Sequence, residues 1–404
     1  MRLVVVALVL IAAPAASRTI QGVLGDAQER VGLRPAAPFL NFAQHFADLV
    51  TAPSLTSASS AALGGGTAID SSESTLGPIF LDHADTLGAG VTNMSSVAQR
   101  GFAQGNLFAQ PFNQLGLNVP PVVTKRTATA PPGSSALLAI RLRYAIDLHV
   151  WAAAIAVTHG FTDDFDASLV LPIVSTRLNC AATARLVAAT GPNGGTFIPV
   201  HGGPTLGGTI EPVDSTGIGD LVVRGKYKLA MPSPWHMAAT LEVQFPTGDD
   251  LQLHGSGDYW LTPGIDVSLP LFDKKAELDA HAALDFDVST WTRSQALYGV
   301  SASVVLWPKR LAAIVEFLGQ SQFESAFRPR DTNVLVLSPQ GIAVDPLLGV
   351  GWAGRLDQFN FSFGLRTPLA RNVMLFANGL VDLNPHVGVR PVGVIPTFGI
   401  GGTF

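Results

Sequence analysis

The chain is short of charge. Asp, Glu, Lys and Arg make up 14 % of its 404 residues, against about 25 % in an ordinary soluble protein. It is also short of cysteine. A single thiol, Cys180, excludes an internal disulfide and a multi-cysteine metal site, and reads as a lone structural thiol. Beyond the first 16 residues there is no apolar run of about 18, so no helix is suited to crossing a bilayer. Yet hydrophobic residues reach 47 % and mean hydropathy is +0.33. A hydrophobic chain without spanning helices has a closed barrel as its main way into a membrane, because every backbone polar group must be paired in lipid. Positive charge is not in excess either. A net charge of -5 and a pI near 6.0 give no reason to expect a nucleic-acid partner.

What is present is alternation. In WHMAATLEVQF the odd positions Trp235, Met237, Ala239, Leu241, Val243 and Phe245 are apolar, and His236, Thr240, Glu242 and Gln244 lie between them. Side chains alternate faces along a strand, so one face is greasy and the other wet. About ten residues with aromatics at both ends suit a tilted strand crossing a bilayer. The pattern recurs near 87–98, 137–158, 166–187, 219–230, 259–270, 277–288, 296–306, 311–323, 355–366, 373–381 and 393–404. Every second connection is short (FTDDF, MPSP, LFDKK, WPKR, TPLARN), while most of the others are long. Short turns on one side, long loops on the other and an even strand count mark a bacterial outer-membrane barrel. The expected fold is therefore all-β, an antiparallel transmembrane barrel of about 12 strands over 87–404. A soluble sandwich would explain the alternation but not the loop lengths.

The first 17 residues, MRLVVVALVLIAAPAAS, read as a secretory signal peptide: Arg2, an apolar core, then small residues. Residues 18–86 differ from the rest. Phe39, Phe42, Phe46 and Leu49 recur at helical spacing, and a Ser/Ala/Gly-rich stretch follows. This partly helical segment either plugs the barrel or leads into it as a mobile stretch. At the other end Phe398, Ile400 and Phe404 share a face. That ending resembles the assembly signal of outer-membrane barrels, so the barrel-assembly machinery and outer-membrane lipid are expected partners.

In a barrel the polar face looks inward. The expected lumen lining is Arg141, Arg143, Asp147 and His149, then Arg224, Lys226 and Lys228, then His236 and Glu242. It continues with Glu277, Asp279, His281, Asp285 and Asp287, and ends with Glu316 and Arg366. These charges either set up a field across a water-filled pore or pair with one another and fill it. The histidines lack metal-ligand spacing and read as polar filler. Asp249, Asp250, His254 and Asp258 in GDDLQLHGSGD lack EF-hand spacing, so a solvated external loop is the expectation over a Ca²⁺ site. GIGD at 217–220 precedes a strand, not a helix, and is no phosphate loop. There is no GxSxG and no recognisable Ser–His pairing, so no catalytic residue, metal or cofactor is expected.

The segments GFTDDFDASLVLPIV, GIGDLVVRGKYKL, LEVQFPTGDD, GSGDYWLTPGIDVSLP and VIPTFGIGGTF, with LGPIFLDHADTLGAGVTN before them, resemble an outer-membrane transporter family linked to meta-pathway phenol degradation. In broad design that family is similar to the long-chain fatty-acid channels. The resemblance spans roughly 76–404. It implies an outer-membrane location and uptake of small aromatic or hydrophobic molecules, and brings no functional residues with it. A strongly charged lumen fits an apolar solute poorly. Either the solute leaves sideways through the wall, or it is polar, or the inferred substrate is wrong. The competing reading is a structural or surface-binding barrel with a closed lumen and contacts on its loops at 99–136, 188–216 and 324–354.

Overall fold

Strands with one apolar and one polar face pair until the sheet closes, because an open edge in lipid would leave a row of unpaired amides. The structure, a computed structural model, describes residues 78–107, 122–124, 137–191, 194–199, 205–209, 212–289, 291, 294–308, 310–323, 336–338, 341–343, 357–370, 372–383, 389–391 and 394–404. The expected signal peptide, residues 18–77 and most of the long loops lie outside the described residues.

Twelve strands close into an antiparallel barrel. They are β1 (Thr92–Leu107), β2 (Leu137–Gly160), β3 (Phe165–Gly191), β4 (Leu221–Leu229), β5 (His236–Phe245) and β6 (Trp260–Leu271). After them come β7 (Ala276–Asp287), β8 (Gln295–Trp307), β9 (Leu311–Gln322), β10 (Asp357–Ala370), β11 (Val373–Asp382) and β12 (Val394–Thr403). Each pairs with its sequence neighbour. The seam closes where β12 runs against β1, from Asn93↔Thr403 to Gln99↔Thr397. A short segment, Val213–Ile218, lies in line with β4 and pairs with the same strand, β3.

The twelve expected strands are all present. The first starts later than 87, because Gly88 and Gly90 adopt φ of +86° and +79°, values that side chains disfavour. The chain reverses there against Gly160, where an added Cβ would lie 2.0 Å from the Gly88 carbonyl oxygen. The strand begins at Thr92.

The outside of the barrel is apolar where it should meet lipid. Around the short-turn end stand Phe161, Phe165, Tyr227, Trp235, Phe272, Trp307 and Phe404, all exposed. Trp151, Tyr259, Trp291 and Phe323 stand exposed toward the other rim, with Leu169, Ile173, Leu241, Ile265, Val300 and Val315 between the two. This is an apolar band flanked by aromatic girdles. By that pattern the short-turn end is periplasmic.

β2 and β3 are far longer than the band is tall. Their 24 and 27 residues, at roughly 3.3 Å each along the strand, carry the hairpin well beyond the far girdle.

Candidate functional site

Immediately before β1, residues 78–87 run through the lumen and form a strap. The chain passes the short-turn rim beside the β2–β3 turn. There the Thr86 hydroxyl donates to the Asp163 carbonyl at 2.6 Å, and the Leu87 amide donates to the Asp166 carboxylate at 3.0 Å.

Deeper in, the strap is held by charge. Lys228 Nζ donates to Asp85 Oδ1 at 2.6 Å, and His236 Nδ1 lies 2.7 Å from the same carboxylate. Lys226 donates to the carbonyls of His83 and Asp85, at 3.2 and 2.7 Å. Arg224 is paired with Asp82, and also reaches Asp266 at 3.4 Å. The Ala84 amide donates to Ser268 Oγ at 3.0 Å. His83 Nδ1 lies 2.9 Å from the Asp85 amide nitrogen, and its Nε2 lies 2.6 Å from Glu277 Oε1.

Beyond Asp82 the strap changes character. A single oxygen, Glu316 Oε1, accepts the amides of Ile79, Phe80 and Leu81 at 2.9, 2.9 and 3.3 Å. Arg366 donates to the Pro78 carbonyl at 2.6 Å. Ile79 and Phe80 join one buried apolar cluster with Val97, Ala152, Ala154, Ala156, Val170, Val222, Ile314, Phe376 and Leu380.

The lumen at this level therefore has two walls. The wall from β4 through β7, with Glu316 and Arg366 beyond it, is charged. The side made by β1, β2, the lower part of β3 and β11 carries an apolar patch, Val97, Ala152, Ala154, Ala156, Val170, Phe376 and Leu380, with Ser95, Gln99, Thr158, Asp166 and Asn378 buried around it. Burial alone would raise the carboxyls of Asp82 and Asp85. For Asp82 the Arg224 and Lys226 cations outweigh that. For Asp85 the His83 imidazole, the Lys228 ammonium and the His236 imidazole do so. Both carboxyls end below the ordinary carboxylate value.

A second insert comes from the long-loop side. The β5–β6 connection was expected to be a solvated external loop. Instead it folds inward, because the Asp220 carboxylate gathers it: the amides of Gly248 and Ser256 donate to that side chain at 2.9 and 2.6 Å. Asp249 caps a short 3-10 turn, Asp250–Gln252. Thr176, on the inner face of β3, donates to the Gln252 carbonyl at 3.0 Å. Leu253 and His254 are buried, and burial pulls the His254 imidazole below its usual range. The strand opposite must be Gly217, since a Cβ there would lie 2.4 Å from His254 Nδ1.

Most of the expected lumen residues do point inward: Arg224, Lys226, Lys228, His236, Glu242, Glu277, Asp279, His281, Asp285, Asp287, Glu316 and Arg366. Phe398, Ile400 and Phe404 all stand exposed.

Asp147 and His149 do not line the lumen. On β2 the even positions Val150, Ala152, Ala154 and Ala156 are buried inside, while Trp151 and Val157 are exposed outside. Asp147 and His149 share the Trp151 parity and pair with each other outside, at 3.3 Å. The reason is that the outside of a strand is apolar only within lipid. Above the girdle the outside is wet, so the polar residues face out and the apolar ones face in. The sequence shows the switch between Val150 and Trp151. β3 repeats it at Arg177, which forms an exposed ion pair with Asp214. The side chains of Arg141 and Arg143 lie outside the described residues.

Sequence reading missed three groups. Asp266 sits wholly buried beside Arg224, with one oxygen 2.6 Å from His281 Nδ1. Asp82 and His83 belong to the run LDHAD, whose three ionisable residues in an apolar flank were the available signal. His83, Glu277 and Asp279 place donor atoms within 4.8 Å of one another, a spacing a metal ion can use. Hydrogen bonds already engage them. Ser268 and Ser301 donate to the two Asp279 oxygens at 2.7 and 3.0 Å, and His83 bonds Glu277 directly.

Comparison with known proteins gives one family match. A family described as "Putative MetA-pathway of phenol degradation" matches residues 147–381, more than half of the chain. No curated protein sequence matches. Among solved structures, an outer-membrane channel from Pseudomonas putida F1 is similar at 12 % identity and a TM-score of 0.45, covering 80 % of this chain and 98 % of its own. The toluene transporter TbuX of Ralstonia pickettii is similar at 9 % identity and a TM-score of 0.35, covering 78 % and 89 %. A FadL homologue of Pseudomonas aeruginosa is similar at 8 % identity and a TM-score of 0.32, covering 78 % and 90 %.

Proposed function

From the premise that this chain belongs to the phenol-degradation MetA-pathway family, we propose that it is a passive uptake channel for small hydrophobic molecules, closed at rest by the strap. The barrel lies in the bacterial outer membrane. Its neighbours among solved structures include a toluene transporter. The observation that carries the reading is the division of the lumen at the strap. One side carries the apolar patch of Val97, Ala152, Ala154, Ala156, Val170 and Phe376, and among the described residues Ile79 and Phe80 of the strap pack on it. With the strap displaced, an apolar solute would meet that patch beside the charges rather than among them. The charged wall fixes the strap in the path: Arg224 and Lys226 face Asp82, and Lys228, His236 and Glu277 hold Asp85 and His83.

The buried charges also favour the competing reading, a barrel whose lumen stays shut. Arg224, Lys226, Asp266, Glu277 and Glu316 are all less than 10 % exposed. Permeability decides between the two. The mature chain and a form lacking residues 18–86 are placed in liposomes, and uptake of a small uncharged aromatic is followed alongside single-channel conductance in planar bilayers. Uptake by the mature chain, raised further by the deletion, is the expected result. Uptake by neither form would remove the channel reading and leave the closed barrel.

A further inference from the structure

We propose that the tip of the strap, Ile79–Leu81, occupies a solute site and is exchanged there for a small aromatic ring carrying one neutral hydrogen-bond donor. The proposal rests on the channel reading above and adds the site, its chemistry and the trigger.

The two parts of the strap are held by different means. From Asp82 to Leu87 it is anchored by the side chains of Arg224, Lys226, Lys228, His236 and Glu277. From Ile79 to Leu81 it is held by one carboxylate oxygen and by apolar contact. Ahead of the tip, one further bond, from Arg366 to the Pro78 carbonyl, holds the chain. The tip can lift with release of that bond while the anchor from Asp82 to Leu87 stays.

The seat under the tip is shaped for it. A Cβ on Gly299 would lie 2.7 Å from Leu81 Cδ2, and one on Gly364 would lie 2.8 Å from Ile79 Cδ1. The wall is hollow at both points.

What may replace the tip follows from Glu316. Its side chain is almost fully buried. Its second oxygen is fixed by the Ser362 hydroxyl at 2.7 Å, and Asn378 holds that serine in turn at 2.7 Å. When the tip lifts, Oε1 loses three donors at once. A buried carboxylate oxygen without donors is costly. The replacement must offer a donor to Oε1 and an apolar face to the cluster, as Phe80 does with its amide and its ring. A neutral O–H or N–H on one aromatic ring meets both needs. A bare hydrocarbon leaves the carboxylate uncovered, and an aromatic carboxylate brings two anions together.

The test uses the full mature chain in nanodiscs with Cys180→Ala, and a single cysteine at either Ile79→Cys (tip) or Ala84→Cys (anchor). Modification by a water-soluble maleimide is timed in phenol, aniline, toluene and benzoate. Phenol and aniline should speed modification of the tip cysteine saturably, by about tenfold or more as the tip-out population grows, and leave the anchor cysteine unchanged. Toluene should act less and benzoate not at all. In parallel, Phe80→Ala, or Phe80→Leu if the alanine variant fails to assemble, should bind phenol about tenfold more tightly by ligand-observed NMR, since the competing ring is gone.

The proposal is overturned if phenol leaves the tip cysteine unchanged, if it speeds both positions alike, if toluene matches phenol, or if both Phe80 variants bind phenol no better than the parent. An unresponsive tip in a protein whose permeability still rises on deleting 18–86 sinks this inference and spares the channel reading. An unresponsive tip with no permeability in either form sinks both.

Discussion

Arg224→Met should release the strap anchor. With the strap docked, Arg224 pairs with Asp82 inside the lumen, with side-chain exposures of 9 % and 7 %. Solvent screening of this pair is therefore slight. Removing one partner of a buried pair costs about 3–5 kcal/mol, because the other charge is left uncompensated. Asp82 keeps some help, since Lys226 Nζ is 3.6 Å away and the His83 amide donates to Asp82 Oδ1. Asp266 is likewise still served by His281, at 2.6 Å. The lower end of the range applies, about 3 kcal/mol, which is a factor of about 100–200 in the strap-in to strap-out ratio. With Ala84→Cys as reporter, buried at 0 % exposure, maleimide modification should accelerate by about that factor while opening and closing remain fast. Asp82→Asn should do nearly as much, and the double variant should fall short of the sum, as a shared interaction requires. Heat-modifiable gel mobility checks that the barrel itself has assembled. A modification rate within twofold of the parent, in an assembled barrel, would show that this pair does not hold the strap.

Three other outcomes are expected. Asp82 and Asp85 have carboxyls held below the ordinary 3.8, so their hold is complete above that value and is lost as pH falls below it. Because the thiolate is the nucleophile, the rate is divided by that of a free thiol at the same pH; this ratio for the Ala84→Cys reporter should stay flat from neutral pH to about 4 and rise in stronger acid, and a rise centred near neutrality would contradict the assignment. Leu241, exposed on the outside of β5, should tolerate arginine poorly, at about 2–4 kcal/mol near the bilayer midplane. Refolding into lipid should show Glu242→Arg to be milder in its lipid term, and equal lipid penalties would reverse the facing of β5. Gly160→Ala places a methyl 2.0 Å from the Gly88 carbonyl oxygen. It should displace the reversal at the short-turn rim and raise reporter modification without changing strand content by circular dichroism.

The barrel was legible because each spanning strand repeats one rule, greasy outside and polar inside, and because LFDKK, WPKR and TPLARN punctuate it. The rule holds only where lipid is the outer solvent. Asp147 and His149 obey its mirror image above the girdle, and nothing in a single strand's alternation tells which solvent it faces. The phase change at Val150–Trp151 does, once two regimes are expected. The charged wall was legible residue by residue, from Arg224 to Arg366. Its occupant was legible only as one of two readings of residues 18–86, because pairing across the lumen joins Pro78 to Arg366 over 288 positions and no local pattern encodes that. The apolar wall was invisible for a simpler reason. Ala152, Ala154 and Ala156 fall on the same face as Thr158 and read as small residues of no particular side.

The strap also dictates an order of events in assembly. Its partners lie on β3, β4, β5, β6, β7, β9 and β10, and the most distant in sequence, Arg366, precedes the last two strands of the chain. The segment lies directly ahead of β1, the strand on which β12 closes the seam. Its full set of contacts cannot form until more than 280 residues have been laid down around it, and so late a set of long-range contacts is slow to form. Until β4 to β7 are in place Asp82, His83 and Asp85 lack their cations and acceptors, and without the strap β4 and β7 lack the partners it brings to Arg224, Lys226, Lys228 and Glu277. Docking of the strap and zipping of the seam are thus coupled: the charges that hold the strap in the finished barrel are the same ones that leave an unfinished barrel incomplete.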